Sequence, residues 1–111
     1  MKTKYEKIGL NYELILEKYP NINEYEEIVN SYLCDPFFKE LEQMLTDEDY
    51  ALAKDAVKGL YILASDLLLF PLYETLLEIY EDLEYETYAD VINHYNDMFA
   101  RYEKIRSAFN A

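Results

Sequence analysis

The sequence predicts an all-α fold, an antiparallel four-helix bundle with additional short N-terminal helices, and three observations predict it. Apolar residues recur at helical spacing in every segment, and no stretch alternates with the period of a strand. Two glycines and three prolines leave little material for hairpin turns, so long helices with short connections are expected. The breaks between apolar stripes fall at capping residues and prolines rather than in polar linkers.

The elements follow in order. Tyr5, Ile8, Tyr12, Ile15 and Tyr19 read as one helical stripe ending at Pro20. Asn23 with Glu26 reads as a capping-box-like start of a helix carrying Ile28, Val29, Tyr32 and Leu33. Asp35-Pro36 reads as an N-cap followed by proline at the first helical position, opening a face of Phe37, Phe38, Leu41, Met44 and Leu45. Thr46 with Asp49 marks the start of a helix running to about Asp66. Pro71 opens the next, with Leu72, Leu76, Ile79, Tyr80 and Leu83 on its stripe. The last helix begins near Thr87 and aligns Val91, Tyr95, Met98, Phe99, Tyr102, Ile105 and Phe109. Projected at about 100° per residue, the Asp49–Asp66 helix puts Asp49, Leu52, Ala56, Leu60, Leu63 and Leu67 on the core side. The same projection turns Lys58 and Ser65 away from the core, flanked by Lys54, Tyr61, Ala51 and Ile62.

A chain of 111 residues is read as one domain, 1–111, able to bury a modest core. The hydrophobic fraction of 51% and charged fraction of 30% suit a globular protein. The formal net charge of −13 argues against nucleic acid, whose phosphates demand clustered Lys and Arg, and against anionic membrane surfaces. A mimic of DNA phosphates would also be acidic, but a solvated, self-repelling surface accounts for the charge without one. The N-terminal MKTKYEKIG has no apolar stretch behind its lysines, and the longest apolar run, Leu67 to Tyr73, is too short for a bilayer. A cytoplasmic location is therefore expected. The single cysteine, Cys34, excludes an internal disulfide and is expected to be a small semi-buried residue.

Little in the chain points to catalysis. No Gly-rich phosphate loop and no CxxC pair occurs, and Cys34 sits in no recognisable nucleophile motif. Glutamate pairs such as Glu26/Glu27 and Glu84/Glu86 are expected on solvated faces or caps, where they make poor general acids. The only histidine, His94, has Asp90 four residues before it and Asp97 three after, so a solvated imidazole beside carboxylates is expected. No second histidine and no Glu-x-x-His pair completes a bundle metal centre, and neither a metal nor a cofactor is implied. A relocated phosphoacceptor role for His94 is the sharper alternative. The thirteen tyrosines read as core-edge packing, with rings buried and hydroxyls wet.

The run from Asp49 to Leu83, DYALAKDAVKGLYILASDLLLFPLYETLLEIYEDL, scans like a central helical hairpin. Asp35-Pro36-Phe37-Phe38 precedes it, Asp49-Tyr50 opens its first helix, and Asp66-Leu67-Leu68-Leu69-Phe70-Pro71-Leu72-Tyr73 turns into its second. In order and ungapped spacing these stretches resemble the histidine-containing phosphotransfer (HPt) domains of two-component signalling, over nearly the whole chain. The defining HPt motif is His-x-Leu-Lys-Gly. Laid without gaps between Tyr50 and Pro71, its histidine falls on Lys58, its leucine on Leu60, its lysine on Tyr61 and its glycine on Ile62. A shifted register matches Val57-Lys58-Gly59 to Leu-Lys-Gly and puts Asp55 at the histidine position, at the expense of a three-residue insertion.

Both registers lack the imidazole. Relay through nitrogen needs a free lone pair, which a protonated lysine does not have. The resemblance therefore implies a pseudo-HPt adaptor, not an enzyme, that binds a response-regulator receiver domain or a histidine kinase without phosphotransfer. Its partner-binding face would be Lys54, Lys58, Tyr61, Ile62 and Ser65, with Lys58 at the non-functional phosphoacceptor-equivalent position. The alternative is a helical-bundle assembly or dimerisation protein with no two-component partner.

Overall fold

The computed structural model describes residues 1–109. Those residues form seven α-helices, α1 (Lys2–Lys7), α2 (Tyr12–Lys18), α3 (Ile22–Leu33), α4 (Phe37–Thr46), α5 (Tyr50–Asp66), α6 (Phe70–Glu84) and α7 (Val91–Phe109). A single 3₁₀ turn, Tyr88–Asp90, leads into α7. The fold is all-α, and among the described residues there is no strand. No helix among them is long and apolar enough to cross a membrane.

Helix ends differ from the sequence expectation in instructive ways. The single stripe from Tyr5 to Tyr19 is broken into α1 and α2 because Gly9 takes a left-handed conformation, φ +78°. Its neighbour Asn11 then caps α2, accepting the Leu14 N–H at 3.0 Å. α3 starts two residues before the expected capping box: Asn21 accepts the Glu24 N–H at 3.2 Å, and Asn23 lies inside the helix. Asp35 accepts the Phe37 N–H at 2.9 Å, as an N-cap would, but Pro36 is the cap residue and α4 begins at Phe37. Thr46 closes α4 instead of opening α5, its hydroxyl donating to the Glu42 carbonyl at 2.8 Å.

Four helices end on a residue with positive φ: Gly9, Glu48, Leu68 and Glu86. After each, the next N–H reaches back five residues, as in Leu10 N to Tyr5 O, Asp49 N to Met44 O, Leu69 N to Ala64 O and Thr87 N to Asp82 O. These compact left-handed stops make the short connections that the sequence predicts.

α5 and α6 form an extensively packed hairpin; α4 lies against α5, and α7 against α6, α4 and α3. One apolar core fills the space between them, with Phe38, Leu41, Leu60, Leu72, Leu76, Ile79 and Met98 wholly enclosed. The expected α7 stripe is buried throughout except for Phe99, which is half-buried. Ile28 and Phe37, expected inward, face solvent instead. Tyrosines join the helices in a specific manner. Tyr25 donates to the Leu67 carbonyl, Tyr32 to Leu60, Tyr95 to Phe38 and Tyr102 to Leu33, at 2.6 to 2.8 Å. The rings are buried as expected, but these four hydroxyls are bonded to main chain rather than wet.

Candidate functional site

α5 carries the candidate face. Its buried stripe is Ala53, Ala56, Val57, Leu60 and Ala64, continued by Leu67. Leu52 and Leu63, expected in the core, are 49% and 47% exposed, and Asp49 is exposed as well. Three small alanines and a valine on the inner face let α4 and α6 approach α5 closely, so backbone proximity outweighs leucine burial.

Rotation of the helix sorts the five proposed face residues into two groups. Lys58 and Ile62 point outward and are exposed, Ile62 by 46%. Lys54, Tyr61 and Ser65 lie on the flank next to α6 and are half-buried. Lys54 pairs with Glu84 of α6 and lies 5.7 Å from the Tyr80 ring centroid. The hydrogen bond to the Glu84 carboxylate holds the Lys54 ammonium above its usual range. The Tyr61 ring meets Tyr80 and Tyr73 edge-on, with centroids 5.2 and 6.0 Å apart. Lys58 makes no ion pair among the described residues. Gly59 is next to it on the outer surface, and a Cβ built there would touch nothing within 4 Å.

His94 is held differently from the sequence expectation. Its partners are on α6, not at Asp90 and Asp97 of its own neighbourhood. Nδ1 bonds Asp82, and Nε2 lies 3.5 Å from Glu78. Asp82 is nearly buried, and its other carboxylate oxygen accepts the Thr87 hydroxyl at 3.1 Å. The hydrogen bond that His94 donates to the Asp82 carboxylate raises the His94 pKa above its ordinary 6.5, with Glu78 and Asp90 adding smaller contributions against partial desolvation. Nδ1 is held by Asp82 and Nε2 lies near Glu78, which orients the ring across the α6–α7 turn. Among the described residues, no group of three metal-ligating side chains could hold an ion.

Asp82 is the residue that sequence reasoning missed. It stands three positions after Ile79, on the α6 stripe that also buries Leu72, Thr75, Leu76 and Leu83. A carboxylate at a core position requires a donor, and the only histidine lies one turn beyond the following connection. Cys34, expected to be semi-buried, is exposed at the end of α3. Compared with family models, curated proteins and solved structures, the chain matches none.

Proposed function

We propose that this chain is a non-enzymatic signalling adaptor of pseudo-HPt type, which binds a receiver domain or a histidine kinase through the outward side of α5. In this reading α4 to α7 are the four-helix bundle and α1 to α3 the additional N-terminal helices. The contacts α4–α5, α5–α6, α6–α7 and α7–α4 close on themselves as such a bundle requires. The observation that carries the reading is the state of Lys58: exposed, without an ion-pair partner among the described residues, and beside the smooth surface at Gly59. A free cation at the phosphoacceptor-equivalent position suits a carboxylate-rich receiver pocket and transfers nothing. Ile62 adds apolar contact. Lys54 and Tyr61, committed to Glu84, Tyr80 and Tyr73, frame the site rather than reach out of it.

Titration against purified receiver domains tests this directly. Micromolar binding that is lost in Lys58→Glu and in Ile62→Glu supports the adaptor, and no binding at high micromolar concentration removes it. Incubation with a phosphodonor should leave both the wild type and His94→Ala unlabelled. The alternative, an assembly protein, draws on the half-exposed Leu52, Ile62 and Leu63. Sedimentation over a range of concentrations separates the two, since a stable dimer that occludes Ile62 favours assembly.

A further inference from the structure

α3 and α5 run antiparallel, because Tyr25 reaches Leu67 while Tyr32, two turns later, reaches back to Leu60. Outside these bridges the helices part around a groove of about 590 Å³. Tyr32 and Leu67 form its apolar floor, and Ile28 and Leu63, each 47% exposed, form its walls. Every charged side chain that lines it is a carboxylate: Glu27, Asp35 and Asp66. α3 has no lysine or arginine; Lys18, near the mouth, is bound to the Asp66 carbonyl, and Lys39 and Arg106 share with Asp35 the adjoining pocket outside the groove. Asp66 is the last residue of α5, so the negative pole of that helix dipole reinforces its carboxylate, while the Asp35 carboxylate also accepts the Phe37 N–H at the start of α4.

We infer that this groove docks a cationic amphipathic helix of a partner protein. The partner's apolar stripe rests on Ile28 and Leu63, and its Lys or Arg residues flank that stripe against Glu27, Asp35 and Asp66. Glu27 to Leu33, the end of α3, spans about 9 Å of helix axis, nearly two turns, which accommodates anchors spaced i, i+3 or i+4, and i+7. A second copy of this chain fits poorly, since its net charge of −13 would set carboxylates against carboxylates. The groove is on the opposite flank of α5 from Lys54 and Tyr61, and the inference does not rest on the pseudo-HPt reading.

The test uses a fluorescent Leu/Lys peptide designed as an amphipathic helix, a scrambled peptide of identical composition, and a Leu/Glu counterpart. Anisotropy should show binding of the Leu/Lys helix alone. Leu63→Glu should weaken it at least about tenfold, a loss of about 1.4 kcal/mol. Leu63→Ser should weaken it less, and Glu27→Lys should lower both affinity and salt dependence. Asn96→Ala, on the exposed side of α7, should leave binding unchanged. Circular dichroism confirms that each surface variant is folded. Equal binding of the scrambled peptide, unchanged binding by Leu63→Glu, or no binding at about 100 μM overturns the inference. Dimerisation of the wild type that Leu63→Glu abolishes also overturns it, by assigning the groove to a second copy.

Discussion

The hydroxyl of Tyr25 donates at 2.6 Å to the carbonyl of Leu67, forty-two residues away. Leu67 is the C-cap of α5, where a helix leaves its carbonyls without intrahelical partners. Asp66 is treated alike, its carbonyl accepting the Tyr19 hydroxyl at 2.9 Å and the Lys18 ammonium at 2.6 Å. Side chains from α2 and α3 thus cap α5, and they fix where its exposed face begins.

Tyr25→Phe should therefore destabilise more than Tyr32→Phe. Removing the Tyr25 hydroxyl leaves a buried C-terminal carbonyl unsatisfied, at about 2 kcal/mol. The Leu60 carbonyl, mid-helix, keeps its own i+4 N–H when Tyr32 is cut back, so about 1 kcal/mol is expected. Denaturant midpoints of the two variants check the order.

The two glycines should respond in opposite directions to alanine. At Gly59 a methyl enters open space inside a helix, and Gly59→Ala should stabilise by about 1 kcal/mol. At Gly9, φ is +78° and the new Cβ would lie 3.2 Å from the Pro71 ring, so Gly9→Ala should destabilise by about 1–2 kcal/mol. Thermal melts of both variants beside the wild type decide it.

Glu86 occupies a left-handed position, φ 58°, with its side chain exposed. Glu86→Gly relieves that strain, offset in part by the greater freedom of glycine in the unfolded chain, and should stabilise by about 0.5–1 kcal/mol. A lowered midpoint would count against the left-handed stop at the end of α6.

The His94–Asp82 pair makes stability depend on pH. Asp82 raises the His94 pKa in the folded state, so the folded chain holds this proton more tightly than the unfolded one. Its stabilising contribution is complete below the unfolded value of 6.5 and is lost as pH rises through the raised folded value. The stability gap between wild type and His94→Gln should therefore be wide near pH ~5.5 and narrow by pH ~9. Urea titrations at the two pH values measure it, and a gap that widens with pH would contradict the pairing.

The alkaline limb has a different origin. Burial pushes the Tyr25 and Tyr32 hydroxyls upward, and Tyr95 up to about 12. The unfolded chain ionises these groups first, so their contribution is intact below pH 10 and falls as pH rises toward the folded values.

What the chain determined on its own is its helical class, the end of α5 near Asp66, the start of α6 near Pro71, and the inward stripe of α7 apart from Phe99, because these depend on local spacing and on Pro71. The outward position of Lys58 was legible for the same reason: it lies opposite the core whichever way the flanks are turned. The tertiary structure decided the rest. Whether a leucine or an alanine faces inward depends on how closely a neighbouring helix approaches, which put Leu63 on the surface and Ala64 beneath it. The break at Gly9, the pairing of His94 with Asp82 and the groove between α3 and α5 all join residues across a turn or between helices. Periodicity within one helix contains no information about which neighbour it meets, and that is why these features emerge only when the helices are packed together.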